Sequence, residues 1–241
     1  MPLPIFQKPQ VLNRIGVAAG KGGVGKSTLT LQLALAFQRM EKRVGILDAD
    51  LYGPSLRTML KEVRLPFGNK PAFANGLHLI SAAYLQPSSF IVRAPVANRL
   101  LDMFLTQVEW GDLDYLFIDF PPGTGDIPLT LAEKGNLTGV VLVTTPQEVA
   151  LHDVARTYNF FEKVQIPILG VVENMSYLVE NPSISPFGRG LGRRFAEERG
   201  LSFLGEVPLD AKISTFQDRG EGALVKTTAF EEIANRLQLL T

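Results

Sequence analysis

The sequence of 241 residues predicts an α/β fold, a mostly parallel sheet with helices on both faces. Short apolar segments alternate along the chain with longer segments whose apolar residues recur at helical spacing. A glycine-rich turn lies between the first apolar segment and the first helix, and two later apolar segments end in aspartate. Strands that alternate with helices form parallel units with right-handed crossovers. The carboxyl ends of such strands share one edge of the sheet, where open parallel sheets bind ligands.

The glycine-rich turn matches the phosphate-binding pattern G-x-x-x-x-G-K-[ST]. The apolar segment Ile15–Ala19 before it predicts a strand, and the leucine- and alanine-rich segment after it predicts a helix. Backbone N–H groups in such a turn and the helix dipole favour phosphate. A glycine-rich turn with a chance lysine is the alternative, which this context disfavours. We therefore predict that nine residues bind nucleotide: Gly20, Lys21, Gly22, Gly23, Val24, Gly25, Lys26, Ser27 and Thr28.

Three side chains of this turn have distinct predicted roles. Lys26 neutralises the β- and γ-phosphates, and the Ser27 hydroxyl binds Mg²⁺. The Thr28 hydroxyl, just inside the helix, bonds the α-phosphate.

Carboxylates follow two of the apolar segments. Val44–Asp48 predicts a second strand with Asp48 and Asp50 at its carboxyl end, and 115–119 predicts a strand that ends at Asp119. A hydrophobic strand that delivers an aspartate to the water shell of a metal is the Walker B pattern. A strand-end carboxylate that caps a turn is the alternative for Asp119. The phosphate-binding turn nearby favours the metal.

The loop 120–126 follows this strand directly. Its two prolines and two glycines cannot continue a strand. Such a loop can place the Gly123 N–H near a γ-phosphate and move when that phosphate leaves.

Between the two aspartate-bearing strands the pattern is less regular. Ser55 predicts the cap of a short helix through Leu60. Prolines and glycines interrupt residues 61–95, where only 77–80 predicts a strand. We therefore predict one domain, 1–241, with a loop-rich excursion at about 61–95.

The remaining pattern continues the alternation. The apolar face of the last predicted helix is opposed by a mainly acidic face, which favours packing on the sheet over binding to anionic lipid. The further predicted helices are 95–109, 150–161, 188–199, 212–218 and 228–240. The further predicted strands are 139–144, 168–173 and 203–207. Asn174 stands at the end of the second of these strands, and Pro208 follows the third directly.

Composition excludes several classes of site. The chain has no cysteine, which excludes disulfides, thiolate metal sites and cysteine nucleophiles, and its two histidines are far apart in sequence. Its formal net charge is zero, so no overall basic excess exists to hold DNA or anionic lipid. No segment has the roughly 20 apolar residues of a membrane span, and the first residues match no signal peptide. We expect a cytoplasmic protein.

Lys21, directly after the first glycine, resembles the deviant Walker A loop of MinD, ParA, the nitrogenase iron protein and the Mrp-type iron–sulfur carriers. Further blocks resemble the Mrp branch and run in family order across nearly the whole chain. The most selective are D-A-D-L-Y-G-P-S at 48–55 and D-F-P-P-G-T-G-D at 119–126. Others are V-E-N-M-S at 172–176 and G-E-V-P-L-D at 205–210.

The resemblance implies a Mg²⁺-dependent ATPase that works as a homodimer, with iron–sulfur assembly or client proteins as partners. It implies that Lys21 reaches the nucleotide of the partner chain and that Asp50 orients or deprotonates the attacking water. Asp48 would lie near the Mg²⁺ shell, Asp119 would hold Mg²⁺ through water, and Gly123 would sense the γ-phosphate.

The resemblance also implies a base site. Asn174 would hydrogen-bond adenine, and a polar cap at a strand end is its alternative role. The base would be lined by Pro208, Leu209 and Asp210.

One family feature is missing. The family usually has a C-x-x-C pair after E-N-M-S-Y, with which two chains bridge one [4Fe–4S] cluster. Here Glu180 and Ser183 stand about where those thiolates belong, and the following loop is shortened. Clusters require soft thiolate ligands. We therefore expect an intact ATPase site and no cluster bound by this chain itself.

Two other functions stay open from the sequence. A positioning or partitioning ATPase of the MinD or ParA kind would use its ATP dimer to bind DNA, membrane or a protein. A nucleotide-binding regulator with little turnover is the other. The local basic residues that a DNA or lipid surface would use are interrupted by Glu197 and Glu198, which favours a solvated face: Arg189, Arg193, Arg194 and Arg199.

Overall fold

The computed structural model describes residues 10–61, 63, 68–84 and 94–241. Within them the chain forms one sheet of eight strands in the order β3-β4-β2-β5-β1-β6-β7-β8. All neighbouring strands pair in parallel except β3 and β4, which are antiparallel. The strands are β1 Val11–Ala19, β2 Val44–Asp48, β3 Ala72–Ala74, β4 Leu77–Ser81, β5 Leu113–Asp119, β6 Gly139–Thr144, β7 Ile168–Leu178 and β8 Phe203–Leu209.

Helices cover both faces of this sheet. Apolar side chains of β1 alternate between the faces: Ile15 and Val17 pack with α1, α6 and α7, whereas Ala18 packs with α2, α3, α4 and α5. Because both faces are covered, the buried residues 15–19 of the central strand β1 are all apolar or glycine, as buried parallel strands require. The predicted fold class is confirmed. The helices are α1 Lys26–Arg39, α2 Ala94–Thr106, α3 Asp126–Lys134, α4 Glu148–Lys163, α5 Leu191–Glu198, α6 Ala211–Asp218 and α7 Thr228–Gln238.

Part of the predicted excursion belongs to the sheet. β3 and β4 form a hairpin through Asn75 and Gly76, which both have positive φ angles (50° and 81°), as a tight hairpin turn requires. β4 then pairs in parallel with β2, with Ser81 beside Asp48. The sequence pattern predicts β4 but not β3. The remainder of 61–95 lies partly outside the described residues, at 62, 64–67 and 85–93.

Four local predictions need correction. Residues 56–59 form turns, with hydrogen bonds from Thr58 N to Ser55 O and from Met59 N to Leu56 O, and the predicted helix through Leu60 is wrong. Helix α5 begins at Leu191, later than predicted, because glycines 188 and 190 have left-handed φ angles that a helix cannot use.

The other two corrections concern strand ends. β7 continues to Leu178 beyond Asn174: Met175 has a φ angle of 60°, which makes an irregularity in the ladder rather than an end. Pro208 and Leu209 are the last residues of β8. Helix α3 was not predicted, because its first turn follows a loop rich in glycine and proline.

We predict that Phe37→Ala destabilises the protein by about 3 to 5 kcal/mol. Phe37 is fully buried, and its ring centroid lies 4.4 Å from that of Tyr115 and 5.3 Å from that of Phe117. Urea unfolding measures the change. Leu12→Ala is the control, because Leu12 is 61% exposed and its loss should change stability by less than about 0.5 kcal/mol. Equal effects of the two substitutions would contradict this account of the core.

Candidate nucleotide site

The predicted phosphate-binding turn lies at the carboxyl end of β1, in the middle of the sheet, with β5 and β6 on either side. A cavity of about 230 Å³ opens over it. The structure therefore brings the turn together with Asp50 and with the loop after β5. The cavity is lined by Lys21, Gly22, Gly23, Gly25, Lys26, Ser27, Thr28, Asp50, Ser55, Met59 and Pro122.

Two glycines of the turn are required by close contacts. A Cβ at Gly20 would collide with the backbone of Asp153 in α4. Gly25 has a φ angle of 84°, and a Cβ there would collide with the Asn174 amide. Between them the Val24 side chain is buried and its carbonyl accepts a hydrogen bond from Asn174 Nδ2 at 2.8 Å. The turn is thus fixed from beneath by α4 and β7, while its upper side borders the cavity.

Asp119 is the centre of the hydrogen bonds under the cavity. Its carboxylate is fully buried and accepts from Lys26 Nζ at 2.7 Å, Ser27 Oγ at 2.6 Å and Thr30 Oγ1 at 3.0 Å. All three donors belong to α1, so Asp119 binds the first turns of this helix rather than capping the turn that follows its own strand. An ion pair this buried is favourable only with such additional hydrogen bonds.

Asp48 is the second buried carboxylate. It lies at the end of β2, directly beside Asp119 on the neighbouring strand β5. Ser81 Oγ donates to its Oδ2 at 2.9 Å, and the Asp50 backbone N–H donates to its Oδ1 at 3.3 Å. Burial, and next the charge of Asp119, raise the pKa of Asp48 to about 8. If both carboxylates are ionised, their negative charge is only partly compensated within the chain, and Asp48 therefore binds a proton more readily than an ordinary aspartate.

Asp50 and Gly123 border the site from the loops after β2 and β5. The Asp50 carboxylate is half-buried, lines the cavity and accepts from Gly53 N at 3.1 Å. Gly123 has a φ angle of 87°, and its N–H donates to Ala19 O at 3.3 Å, at the end of β1. Its predicted contact with a γ-phosphate stays a prediction.

The residues predicted for the base and the α-phosphate contact other protein groups here. Asn174 bonds Val24, as above, so it links β7 to the phosphate-binding turn. Asp210 Oδ1 accepts from Lys212 N at 2.8 Å and caps α6. Thr28 Oγ1 donates to Gln217 Oε1 of α6 at 2.9 Å. Helix α6 therefore reaches both the predicted base site and the phosphate-binding turn.

Sequence reasoning missed three residues that contact the predicted site. Thr30 lies four positions after Lys26, and this spacing on a helix is a usable signal. Ser81 and Gln217 contact Asp48 and Thr28 only through the tertiary fold. No local pattern marks either of them.

Residues 178–190 are held in place by contacts with other parts of the protein. This is the segment in which the resemblance implies a pair of cysteines. Arg189 donates to Glu206 Oε2 through Nη2 at 2.6 Å and Nε at 2.9 Å, and its guanidinium lies 4.5 Å from the Tyr177 ring centroid. At the carboxyl end of this segment, the N–H groups of Gly190 and Gly192 donate to the Glu173 carboxylate of β7, at 2.8 Å and 2.5 Å.

Within the same segment Glu180 and Ser183 are exposed. The other arginines of the basic cluster are engaged: Arg194 pairs with Glu148 and Glu198, while Arg193 and Arg199 lie over aromatic rings. These contacts agree with a solvated structural face.

A family model described as "ParA: NUBPL iron-transfer P-loop NTPase" matches residues 10–240. The chain belongs to this family. The match covers the sheet, the phosphate-binding turn and both aspartate-bearing strands.

Relatives of this NUBPL-family chain include proteins named iron-sulfur cluster carrier protein. That of Aquifex aeolicus is 41% identical over 237 residues, which cover 92% of this chain and 65% of the relative. That of Pseudomonas fragi is 44% identical over 223 residues, 88% of this chain and 78% of the relative. The chain spans about 65% of the length of the Aquifex relative and of the Deinococcus radiodurans relative.

Solved structures support the same assignment. A nucleotide-binding protein of Archaeoglobus fulgidus, solved in complex with ADP, is 34% identical with a TM-score of 0.77 over 90% of both chains. The MinD ATPase of Pyrococcus furiosus has a TM-score of 0.72 over 95% of this chain and 99% of its own. At 19% identity it shows only the shared fold. The predicted resemblance to the Mrp-type carriers is confirmed, and a positioning or partitioning function is not favoured.

None of the helices in the described part of the chain is long and apolar enough to cross a membrane.

We predict that Lys26→Met alone destabilises the protein by about 3 kcal/mol, because it leaves the buried Asp119 charge without its cation. Lys26 is 7% exposed and Asp119 is fully buried. Adding Asp119→Asn to Lys26→Met should recover at least half of the loss, since the amide is neutral. Urea unfolding of the two variants without nucleotide measures this. A double variant less stable than Lys26→Met would refute the ion-pair account.

Proposed function

We propose that this chain is a Mg²⁺-dependent ATPase that works as a nucleotide-gated homodimer in iron–sulfur cluster assembly or delivery. One observation carries the proposal: the phosphate-loop residues Lys26 and Ser27 both bond the strand-end carboxylate of Asp119 beneath a cavity that Asp50 also lines. Family membership and the ADP complex of the Archaeoglobus protein support the choice of nucleotide.

The donors around the cavity suit Mg²⁺, which prefers oxygen ligands. Ser27 offers a hydroxyl, and Asp48 and Asp119 offer carboxylates whose charge the chain compensates only partly. These three residues would hold the ion, directly or through water. When bound, Mg²⁺ neutralises charge on the β- and γ-phosphates.

The protein's own contribution to hydrolysis is positioning and charge neutralisation. Lys26 has to exchange its bond with Asp119 for the phosphates. Asp50 lines the cavity with its carboxylate available to orient or deprotonate the attacking water. Gly123, which has a positive φ angle in the loop between β5 and α3, would sense the terminal phosphate by exchanging its N–H bond with Ala19 O for that phosphate.

Lys21 supports the homodimer. It is half-buried at the rim of the cavity, with Gly22 and Gly23 exposed beside it. A second chain that faces this rim would receive its ammonium group against its own nucleotide. Two-fold pairing makes the exchange reciprocal, so each site is complete only in the dimer.

In this proposal an iron–sulfur cluster is cargo on which the protein acts, and not a cofactor that the chain itself holds. With no cysteine in the chain, and with Glu180 and Ser183 exposed in the segment where the family's thiolates lie, the donor set does not fit an iron–sulfur cluster. The proposed role is therefore to act on clusters held by a scaffold or client protein.

We predict that Lys26→Ala and Asp50→Ala both lower Mg²⁺-dependent ATP hydrolysis by about 100-fold or more, for different reasons. Lys26→Ala removes a cation that neutralises the phosphates, so ATP binding weakens as well. Asp50→Ala removes the group that orients the water, so ATP binding is retained. Phosphate release and nucleotide titration on folded protein, checked by circular dichroism, separate the two.

A chelator control, in which EDTA abolishes turnover, tests the metal dependence. Hydrolysis by Lys26→Ala as fast as by the parent protein would show the assignment to be wrong.

We predict that the purified chain binds no iron–sulfur cluster after anaerobic reconstitution with iron and sulfide. The expected result is no stoichiometric iron or sulfide and no broad visible absorbance after desalting. A matched control is the Glu180→Cys/Ser183→Cys variant, which restores thiolates at the two exposed positions. A cluster that stays bound to the unaltered chain would overturn this part of the proposal.

A further inference from the structure

Gln217 of α6 is a buried amide that contacts the first turn of α1 at the proposed nucleotide site. It is 6% exposed, and its Oε1 accepts the hydroxyl hydrogen of Thr28 at 2.9 Å. Its Nε2 has no hydrogen-bond partner among the residues that the structure describes. Either orientation of this amide leaves one of its two polar ends unpaired, so the two orientations differ little in cost and the amide can turn over.

The hydrogen of Thr28 decides what that residue can do. A hydroxyl has one hydrogen to donate and two lone pairs to accept with. While Thr28 donates to Gln217 Oε1, only its lone pairs can face an α-phosphate oxygen, and the two would repel. If the Gln217 amide turns over, Nε2 donates to Thr28 Oγ1 and the hydroxyl hydrogen is free for the phosphate.

Gln217 is closely packed. It is 6% exposed, and its Cγ lies in ordinary van der Waals reach of the turn at Gly222, since a Cβ built there would be 3.5 Å away. Its amide is therefore held in the protein interior beside Thr28, where a turn about the last side-chain bond exchanges its oxygen and its nitrogen.

We propose that Gln217 is a positioning residue for the α-phosphate: its amide turns over when nucleotide binds and donates to Thr28, which then donates to the α-phosphate oxygen. This rests on the proposed nucleotide site and adds to it a residue of α6. The same helix is capped by Asp210, in the segment proposed to line the base. Helix α6 would thus contact the nucleoside monophosphate at two points, at its cap and through Gln217.

The test is a double-mutant cycle on ADP affinity, measured by titration calorimetry with the full chain and Mg²⁺. Gln217→Met keeps the length of the side chain and removes the amide. It should weaken ADP binding about threefold, because the Thr28 hydroxyl is then free to take any of its three rotamers and binding has to fix one of them. In a Thr28→Val background the same substitution should change ADP affinity less than about twofold, because the hydroxyl it positions is gone.

Two further variants separate positioning from packing. Gln217→Glu is nearly isosteric, but a carboxylate can only accept hydrogen bonds. The Thr28 hydroxyl therefore keeps donating to it and cannot donate to the phosphate, so ADP binding should weaken at least as much as in Gln217→Met. Leu35→Ala is the matched control: it shortens a buried side chain two turns further along the same face of α1 and leaves both Gln217 and Thr28 in place. It should lower thermal stability without a change in ADP affinity.

The outcomes distinguish this inference from the proposed function. Equal losses from Gln217→Met with and without Thr28, or no loss in folded Gln217→Met and Gln217→Glu, overturn the inference alone if the unaltered chain binds ADP. An unaltered chain that binds no nucleotide overturns both. A loss that depends on Thr28, with Leu35→Ala unchanged in affinity, supports the inference.

Discussion

The buried bonds between Asp119 and helix α1 are the constraint on which the rest of the site depends. A carboxylate this deep in a sheet must be compensated, and here Lys26, Ser27 and Thr30 do so together. Because β5 delivers Asp119 and α1 delivers its partners, the sheet and the helix are held at a fixed spacing, and the glycine-rich turn between β1 and α1 has little freedom left.

The surroundings of this ion pair are built from elements far apart in the sequence. Asn174 of β7 fixes the turn from one side, and α4 crowds Gly20 from beneath. On the other side β4 brings Ser81 to Asp48. The result is a rigid base under a cavity whose upper rim, with Lys21 and the loop after β5, faces outward. Such an arrangement suits charge neutralisation at a fixed place with a movable upper side.

Much of the fold was predictable because its signals are local. The strands β2 and β6 are mainly apolar runs, and their bounds agree with the predicted ones, whereas β5 begins at Leu113, before its predicted start at 115, because Asp114 interrupts its apolar run. Helix α3 and strand β3 were missed because they are short and lie beside glycine- and proline-rich loops. The continuation of β7 past Asn174 depends on the left-handed backbone of one methionine, which no local pattern indicates. Of the site, the turn and the aspartates follow from motifs. Ser81 and Gln217 do not, because only strand register and helix packing bring them to Asp48 and Thr28.

The segment 178–190 has a consequence for how this protein responds to its environment. Its shape is set by Arg189 on Glu206 and Tyr177 and by Glu173 on the first N–H groups of α5. A loop that depended on a metal cluster would lose its shape under oxidation or iron starvation. This one is held by an ion pair, a cation–π contact and backbone hydrogen bonds that involve neither a metal nor a thiolate, so its shape does not depend on a bound cluster.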